Sequence, residues 1–535
     1  MDGERQCYFN GTIMKGRPNK MFKVQRLKKI IFEKPYLFFL IYSFFIMLFF
    51  TQTSPFFAIN EWVDSNAFFT VGKGMANGLA PYKDLFEQKG PLLYGFHAIA
   101  YCISHTTFFG VYLLESIAMF VNLLLSFKIS RLYLAWMPSV VVSLFLPLLI
   151  LNTSVFGLGD SAEEFSIPFL LTFLYILLKH FKQNSESTFK WSFYIINGVL
   201  VGCIFWIKYT LVGAWIGFYL ALLFILIGKK AWKELVNAIV FTFAGLLLSS
   251  IPWFIYFGIH HAIKELIDVY IKFNLITYAS QTSVPVKLVN SALIFGRAFN
   301  SILEIKIMFI IGMIDFMFTW KYFQNKNQKW LLFSTVVFLI LGVYFGGRDY
   351  SYYFLIITPF GLFGLIATGH FIQRSVKQID LLNKCNWFTL FIIALTSFVL
   401  CFGYNSLITY SKLYNKAPIP QQTFAKIMDQ EPHPTLLNYG ALDGGFYLAA
   451  DIVPNVRYFE SQNIDYKLYP ENMDEQNRYI KEGKIQFVVV RLLSPIPLDQ
   501  VHIPNISDHY RLVSQQDQLI GGATTYRYLL YKKVK

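Results

Sequence analysis

Residues 35–52 read "PYLFFLIYSFFIMLFFTQ". The stretch carries no charge and is long enough for an α-helix to cross the hydrocarbon core of a bilayer. The 34 residues before it are polar and basic, with Lys15, Arg17, Lys20, Lys23, Arg26, Lys28 and Lys29, and they lack the pattern of a cleavable signal. A basic arm next to the first apolar helix stays in the cytoplasm, so 35–52 is expected to be an uncleaved anchor whose far end lies outside.

Composition agrees with a multi-pass protein. Of 535 residues, 55% are hydrophobic, 19% aromatic and only 15% charged, which is too apolar for a soluble domain. The net charge of +15 does not indicate a nucleic-acid partner, because Lys and Arg cluster at the ends of apolar runs, where membrane topology places them. The five cysteines have no metal-ligand spacing and mostly lie in apolar segments, so no metal site is expected from them. No Walker A loop, G-x-S-x-G or H-E-x-x-H is present, which argues against ATP-driven transport and against serine or zinc hydrolysis.

The topology follows from 35–52 outward. The second span is expected at about 109–127, returning to Lys128 and Arg131, with the short apolar piece 91–106 lying along the interface. Further spans follow at about 134–152, 165–179, 191–207, 211–228, 236–257, 305–320, 330–346, 352–371 and 387–406. This count of about eleven puts every short basic loop in the cytoplasm. The stretch 258–303 is read as external, with the amphipathic 262–275 along the interface. After 410 the composition changes. "TLLNYG" (435–440), "VRYFE" (456–460), "QFVVVR" (486–491) and "TTYRYLLYKK" (524–533) read as strands, and the polar 471–483 is compatible with a helix. The expected organisation is a basic cytoplasmic arm (1–34), a transmembrane part (35–409) and a small extracytoplasmic α/β domain (410–535).

On this topology a set of polar residues faces outward. Asp64 is either a catalytic carboxylate at the membrane surface or a solvated acid or helix cap; Asp160 is either a second site carboxylate or part of a capping sequence, "DSAEEF". Lys208 and Arg348 either bind a phosphate or snorkel to the interface. The adjacent His260 and His261 do not by themselves form a metal site.

Three stretches carry a family resemblance. "VDSNAFFTVGKGMANGLAPYKDLFEQKGPLLY" (63–94) resembles the first external loop of bacterial GT-C membrane glycosyltransferases, relatives of the protein O-mannosyltransferases and the lipid A aminoarabinose transferase. Gly78, Pro81, Tyr82, Asp84, Lys89, Pro91 and Tyr94 carry the match. "GDSAEEFSIPFLLTFLY" (159–175) resembles the family's second loop. "GGRDYSYYFLIITPF" (346–360) resembles a later segment that often reads R-x-Y-x-H-Y, with Tyr352 where His is frequent.

The resemblance implies a GT-C-like, α-helical polytopic membrane fold with external interfacial helices. It implies an enzyme that moves a sugar from a polyprenyl-phosphate-sugar donor to an extracytoplasmic acceptor, which is a cell-wall glycan, teichoic acid, lipid or protein. Asp64 would be the general base, with Asp160 as a second catalytic carboxylate. Lys208 and Arg348 would meet the donor phosphate, and Lys89, Glu163 and Tyr352 would make further substrate contacts. A single displacement would invert the anomeric configuration. No cofactor is required, although the acid-rich loop leaves a divalent cation open. The competing reading is a transporter or flippase of a lipid-linked saccharide, which would place polar groups through the bilayer midplane; Asp315 is the one residue that favours it.

Overall fold

The computed structural model describes residues 35–184, 188–278, 282–319, 322–375, 387–497 and 500–534. The basic arm expected over 1–34 lies outside the described residues, as do Lys321, Lys377 and Cys385. Each run expected to cross the bilayer is helical over most of its length. Six helices are long and apolar enough to cross a membrane: Phe109–Ser130, Ala162–Gln183, Tyr209–Gly228, Trp232–Ile259, Lys326–Tyr344 and Ser351–Arg374. The remaining apolar helices are shorter, among them Tyr36–Phe50, Trp136–Ile150, Trp191–Ile207 and Trp387–Cys401. The chain is an integral membrane protein with a predominantly helical body.

The two ends of the bundle differ in chemistry. At one end Asn405 donates to the carbonyls of Phe50 (3.2 Å) and Leu151 (2.9 Å), and Gln52 N donates to Leu158 O at 3.0 Å. These bonds tie three inter-helix connections together. At the other end Lys182 lies 5.4 Å from the Tyr133 ring centre, Lys128 lies 5.8 Å from that of Tyr175, and Gln373 accepts from Ala135 N at 3.0 Å. The short basic connections therefore gather at one end, as the positive-inside pattern requires.

Four of the local readings change. Val63–Ala76 is a helix despite Gly72 and Gly74; glycine is a poor helix former, but Gly72 is needed where the Pro91–Ile103 helix crosses, because a Cβ there would come within 2.5 Å of His97 Cβ. Val284–Ser301 is an amphipathic helix inside the stretch read as an external loop. Residues 456–460 are irregular rather than a strand: one backbone bond (Asn438 N to Phe459 O, 3.0 Å) reaches the strand Leu436–Tyr439, while Arg457 O turns away to accept from Phe86 N at 2.8 Å. Tyr510–Ile520 is a strand that its Ser, Gln and Asp content hides.

The C-terminal sheet has the order β1-β2-β4-β3, with β1 Leu436–Tyr439, β2 Phe487–Leu493, β3 Tyr510–Ile520 and β4 Thr524–Lys533. β1 and β2 are parallel, and the other pairs are antiparallel. Its apolar core is continuous with the loop segments: Phe68, Phe69, Tyr82, Leu85 and Phe86 belong to one buried cluster with Phe446, Tyr447, Phe459, Val488 and Leu529. An ion pair with one buried member reinforces the junction. Lys73, fully buried, donates to Asp451 Oδ1 at 2.8 Å and to Tyr447 O at 2.9 Å.

Candidate functional site

A cleft of about 230 Å³ opens where the first loop, the helix ends and the C-terminal segment meet. It is lined by Asp64, Lys89, Lys208, Arg348 and Tyr352, five of the seven candidate residues, although they are scattered over nearly 300 positions of sequence. Trp62, Tyr278, Tyr353, Gln88, Gln462 and Asn463 complete much of the wall.

Asp64 stands in the first turn of the Val63–Ala76 helix, where the dipole favours an acid, but it is not the N-cap, a position held by Trp62. Among the described residues its carboxylate has no hydrogen-bond partner; the nearest cation is Lys89 Nζ at 3.9 Å. Burial raises its pKa above the ordinary aspartate value, Lys89 and Lys208 pull it back, and Glu87 and Glu163 push it further up. The oxygens of Asp64 are thus free to accept a proton.

Lys89 is fixed by its neighbours in the chain. Its backbone N–H donates to Glu87 Oε2 (2.8 Å) and to Tyr94 Oη (2.8 Å), and its carbonyl accepts from the Tyr82 hydroxyl at 2.6 Å. Tyr82 adopts φ +70°, a conformation rarely taken by a bulky residue, and is held there, fully buried, by stacking on Phe257 and Tyr270. Burial disfavours the Lys89 ammonium, but Glu87, Asp64 and other nearby groups outweigh it and hold its pKa above the usual lysine value. Gly90 N donates to Ile207 O at 3.0 Å, which brings Lys89 beside Lys208. A Cβ at Gly90 would meet Trp206 O at 2.0 Å. Gly90→Ala is therefore expected to cost about 1–3 kcal/mol by forcing the strip away from the Trp191–Ile207 helix, measured as a lower thermal midpoint with weakened ligand binding.

Lys208 ends that helix. It is 6% exposed, pairs with Glu163 Oε1 at 2.5 Å and lies over the Tyr353 ring at 3.7 Å. Burial lowers its pKa, and Glu163 opposes that effect. Arg348 donates to Tyr278 O at 3.4 Å, with its guanidinium 4.5 Å from the Tyr278 ring centre. Tyr352 packs edge-on to Trp62 and 5.6 Å from Lys208 Nζ.

Glu163 does not line the cleft; it stands behind Lys208, 1% exposed. Asp160 departs furthest from expectation. It is 0% exposed, lies off the cleft, and is held at φ +68° in the connection before the Ala162–Gln183 helix. His97 Nε2 lies 2.9 Å from its Oδ1, Ser65 Oγ donates to its Oδ2, and its own N–H donates to Glu115 (2.8 Å) and Glu164 (2.9 Å). With both oxygens engaged and no opening to the cleft, it is not placed to serve as a second catalytic carboxylate. Nor is it the cap: Ser161 Oγ accepts from Glu164 N at 3.0 Å. Its Ser65 bond instead steadies the helix turn that carries Asp64. Asp315, the residue that favoured a transporter, accepts a hydrogen bond from the Tyr322 hydroxyl in the last turn of Leu303–Phe318. Among the described residues no group of three or more His, Cys, Asp or Glu side chains is disposed to hold a metal ion.

Trp62, Tyr278, Gln88 and Gln462 were not legible as site residues, because isolated aromatics and amides give no spacing signal. Among solved structures, ArnT from Cupriavidus metallidurans bound to undecaprenyl phosphate matches with a TM-score of 0.54 and 10% identity, covering 93% of this chain and 97% of that one. The apo form of the same protein matches with a TM-score of 0.55 and 10% identity, over 92% and 97%. The Archaeoglobus fulgidus oligosaccharyltransferase in complex with zinc and sulfate matches with a TM-score of 0.47 and 13% identity, over 84% and 67%. The ArnT likeness, spanning nearly the whole of both chains, shows that this chain has the GT-C membrane fold. No family model matches the chain, and no curated protein matches it.

Proposed function

We propose that the protein is an integral-membrane glycosyltransferase that takes a sugar from a polyprenyl-phosphate donor and transfers it to an acceptor on the extracytoplasmic side. The observation that carries the reading is the make-up of one cleft: a carboxylate with no hydrogen bond among the described residues, Asp64, in one lining with three cations, Lys89, Lys208 and Arg348. The likeness of fold to ArnT, crystallised with undecaprenyl phosphate, supports a lipid-phosphate donor. The gathering of basic connections at the end opposite the cleft supports a cleft outside the cytoplasm and an extracytoplasmic C-terminal segment.

In this reading Lys208 and Arg348 neutralise the donor phosphate, with Lys89 completing the positive wall. Asp64 takes the proton of the acceptor hydroxyl or amine as that atom attacks the anomeric carbon. The bond from that carbon to the phosphate oxygen breaks, polyprenyl phosphate leaves, and the configuration inverts. Tyr352 and Tyr353 flank the Lys208 ammonium, and the low-dielectric wall strengthens its pull on the phosphate. Glu163 orients Lys208, and Asp160 steadies the Asp64 turn through Ser65.

The reading is tested with the full chain in lipid nanodiscs, supplied with a panel of polyprenyl-phosphate sugars and glycan, lipid and peptide acceptors. Release of polyprenyl phosphate with formation of a glycosylated acceptor is expected. Movement of an intact lipid-linked sugar between leaflets, with no bond broken, would instead establish the transporter.

The pH dependence follows from the site. Only ionised Asp64 accepts a proton, so activity falls as pH drops through its pKa, which burial has raised. Lys89 favours the ionised form; Lys89→Met therefore moves the acid limb of the kcat/KM profile to higher pH. An unmoved limb in that variant would remove Asp64 from the role.

A further inference from the structure

The cleft offers two different chemistries to a ligand. Lys208 and Arg348 supply positive charge on one wall. The same lining also carries neutral amides, Gln88, Gln462 and Asn463, beside the Glu87 carboxylate. Gln88 is 8% exposed, and no described residue hydrogen-bonds its side-chain amide; the carbonyl oxygen is buried without a partner. Such a group is costly to leave unmade. The backbone keeps it there. Gln88 O accepts from Asn274 Nδ2 at 2.8 Å, and on either side Phe86 N and Gly90 N are bonded to Arg457 O and Ile207 O.

Gln462 approaches from the C-terminal segment and is aimed by a buried relay. Its backbone N–H donates to Asn472 Oδ1 at 2.8 Å, and its Nε2 donates to Glu460 Oε1 at 2.8 Å. Glu460, 1% exposed, is anchored in turn by the N–H of Asp443 at 2.7 Å. One Nε2 N–H is used by Glu460, and the Gln462 carbonyl oxygen, with no partner among the described residues, is left to accept from a ligand. Two uncharged acceptors lining one cleft call for a ligand rich in neutral O–H or N–H donors, set beside an anion that the cations hold.

We propose that Gln88 and Gln462 form a saccharide subsite, accepting hydrogen bonds from the hydroxyls of a sugar ring seated in the cleft. The inference rests on the glycosyltransferase reading. The ring is either that of the lipid-linked donor or that of a glycan acceptor, and the chemistry is the same for both. A neutral acceptor pair of this kind discriminates against a ring whose hydroxyl is missing or methylated, because the amides are then left unpaired.

The test uses the full-length protein in nanodiscs with Gln88→Met and Gln462→Met. The probes are bare polyprenyl phosphate, a panel of polyprenyl-phosphate hexoses and pentoses, and the corresponding methyl glycosides observed by saturation-transfer NMR. The expected result is that each variant binds the preferred glycosylated lipid roughly five- to tenfold more weakly, the worth of one neutral hydrogen bond, while bare polyprenyl phosphate binds unchanged; that assigns the subsite to the donor. Loss of a methyl glycoside signal in both variants, with all lipid binding unchanged, assigns it to the acceptor.

Gln462→Met strips Glu460 of a partner and can unfold the region, whereas Gln88→Met removes an amide that no described residue uses. The thermal midpoint of Gln88→Met should therefore hold or rise while sugar binding falls; a lower midpoint overturns the proposal. So does a pair of variants that bind every probe as the wild type does. If bare polyprenyl phosphate binds and no sugar probe responds to either variant, the subsite fails and the glycosyltransferase reading stands. If no lipid binds but a methyl glycoside does and is lost in the variants, the subsite stands and that reading fails.

Discussion

Asp64→Asn is expected to lower transfer by about 10³-fold, within the range for loss of a general base, while leaving the fold and the binding of polyprenyl phosphate intact. Asparagine keeps the shape of the side chain and cannot take the acceptor's proton. The substitution breaks no internal hydrogen bond, because Asp64 makes none among the described residues, and its nearest cation is 3.9 Å away. Burial disfavours the charged form, so removing the charge should leave the thermal midpoint the same or slightly higher. The measurement is release of polyprenyl phosphate from a glycosylated donor, paired with thermal unfolding and binding of the bare lipid phosphate. Transfer at the wild-type rate in a folded, lipid-binding variant would take the base from Asp64.

Lys208→Met is expected to have the largest effect on stability. Its ammonium is 2.5 Å from Glu163 Oε1, both side chains are nearly buried, and the second Glu163 oxygen has no hydrogen-bond partner among the described residues even with the lysine present. Removing one member of such a pair leaves an uncompensated buried charge, at a cost of about 3–5 kcal/mol. Adding Glu163→Gln should restore most of that loss, because a neutral amide tolerates burial better. It should not restore affinity for polyprenyl phosphate, which depends on the cation itself. The double variant thus separates holding the fold from holding the phosphate. If it binds the lipid phosphate as the wild type does, Lys208 is a structural cation only.

The fold was largely legible because two strong signals coincide. Apolar runs mark the helices, and Lys and Arg mark connections between them. What was missed had weak local signals. The glycines of Val63–Ala76 argue against a helix until the Pro91–Ile103 helix, which needs Gly72 small, is in place. β3 is polar because much of it faces solvent and its pairing comes from β4. In the site, charged residues stood out against an apolar background, and the cleft collects Asp64, Lys89, Lys208 and Arg348. Asp160 stood out in the same way, but its partner His97 sits in a helix that reads only as apolar, and that pairing exists only in three dimensions. Gln88 and Gln462 are ordinary polar residues in sequence; their significance comes from burial and from Glu460.

The cleft also has a date of birth. Lys73 is buried on the Val63–Ala76 helix, and its carboxylate partner Asp451 lies 378 residues further along the chain. The aromatic floor under Lys89 shares its apolar core with strands of the C-terminal sheet, which are synthesised long after it. During synthesis the residues of the cleft therefore wait, with Lys73 uncompensated and Phe86 uncovered, until the sheet is made and docked. A chain cut short before the sheet should insert its helices yet have no assembled cleft.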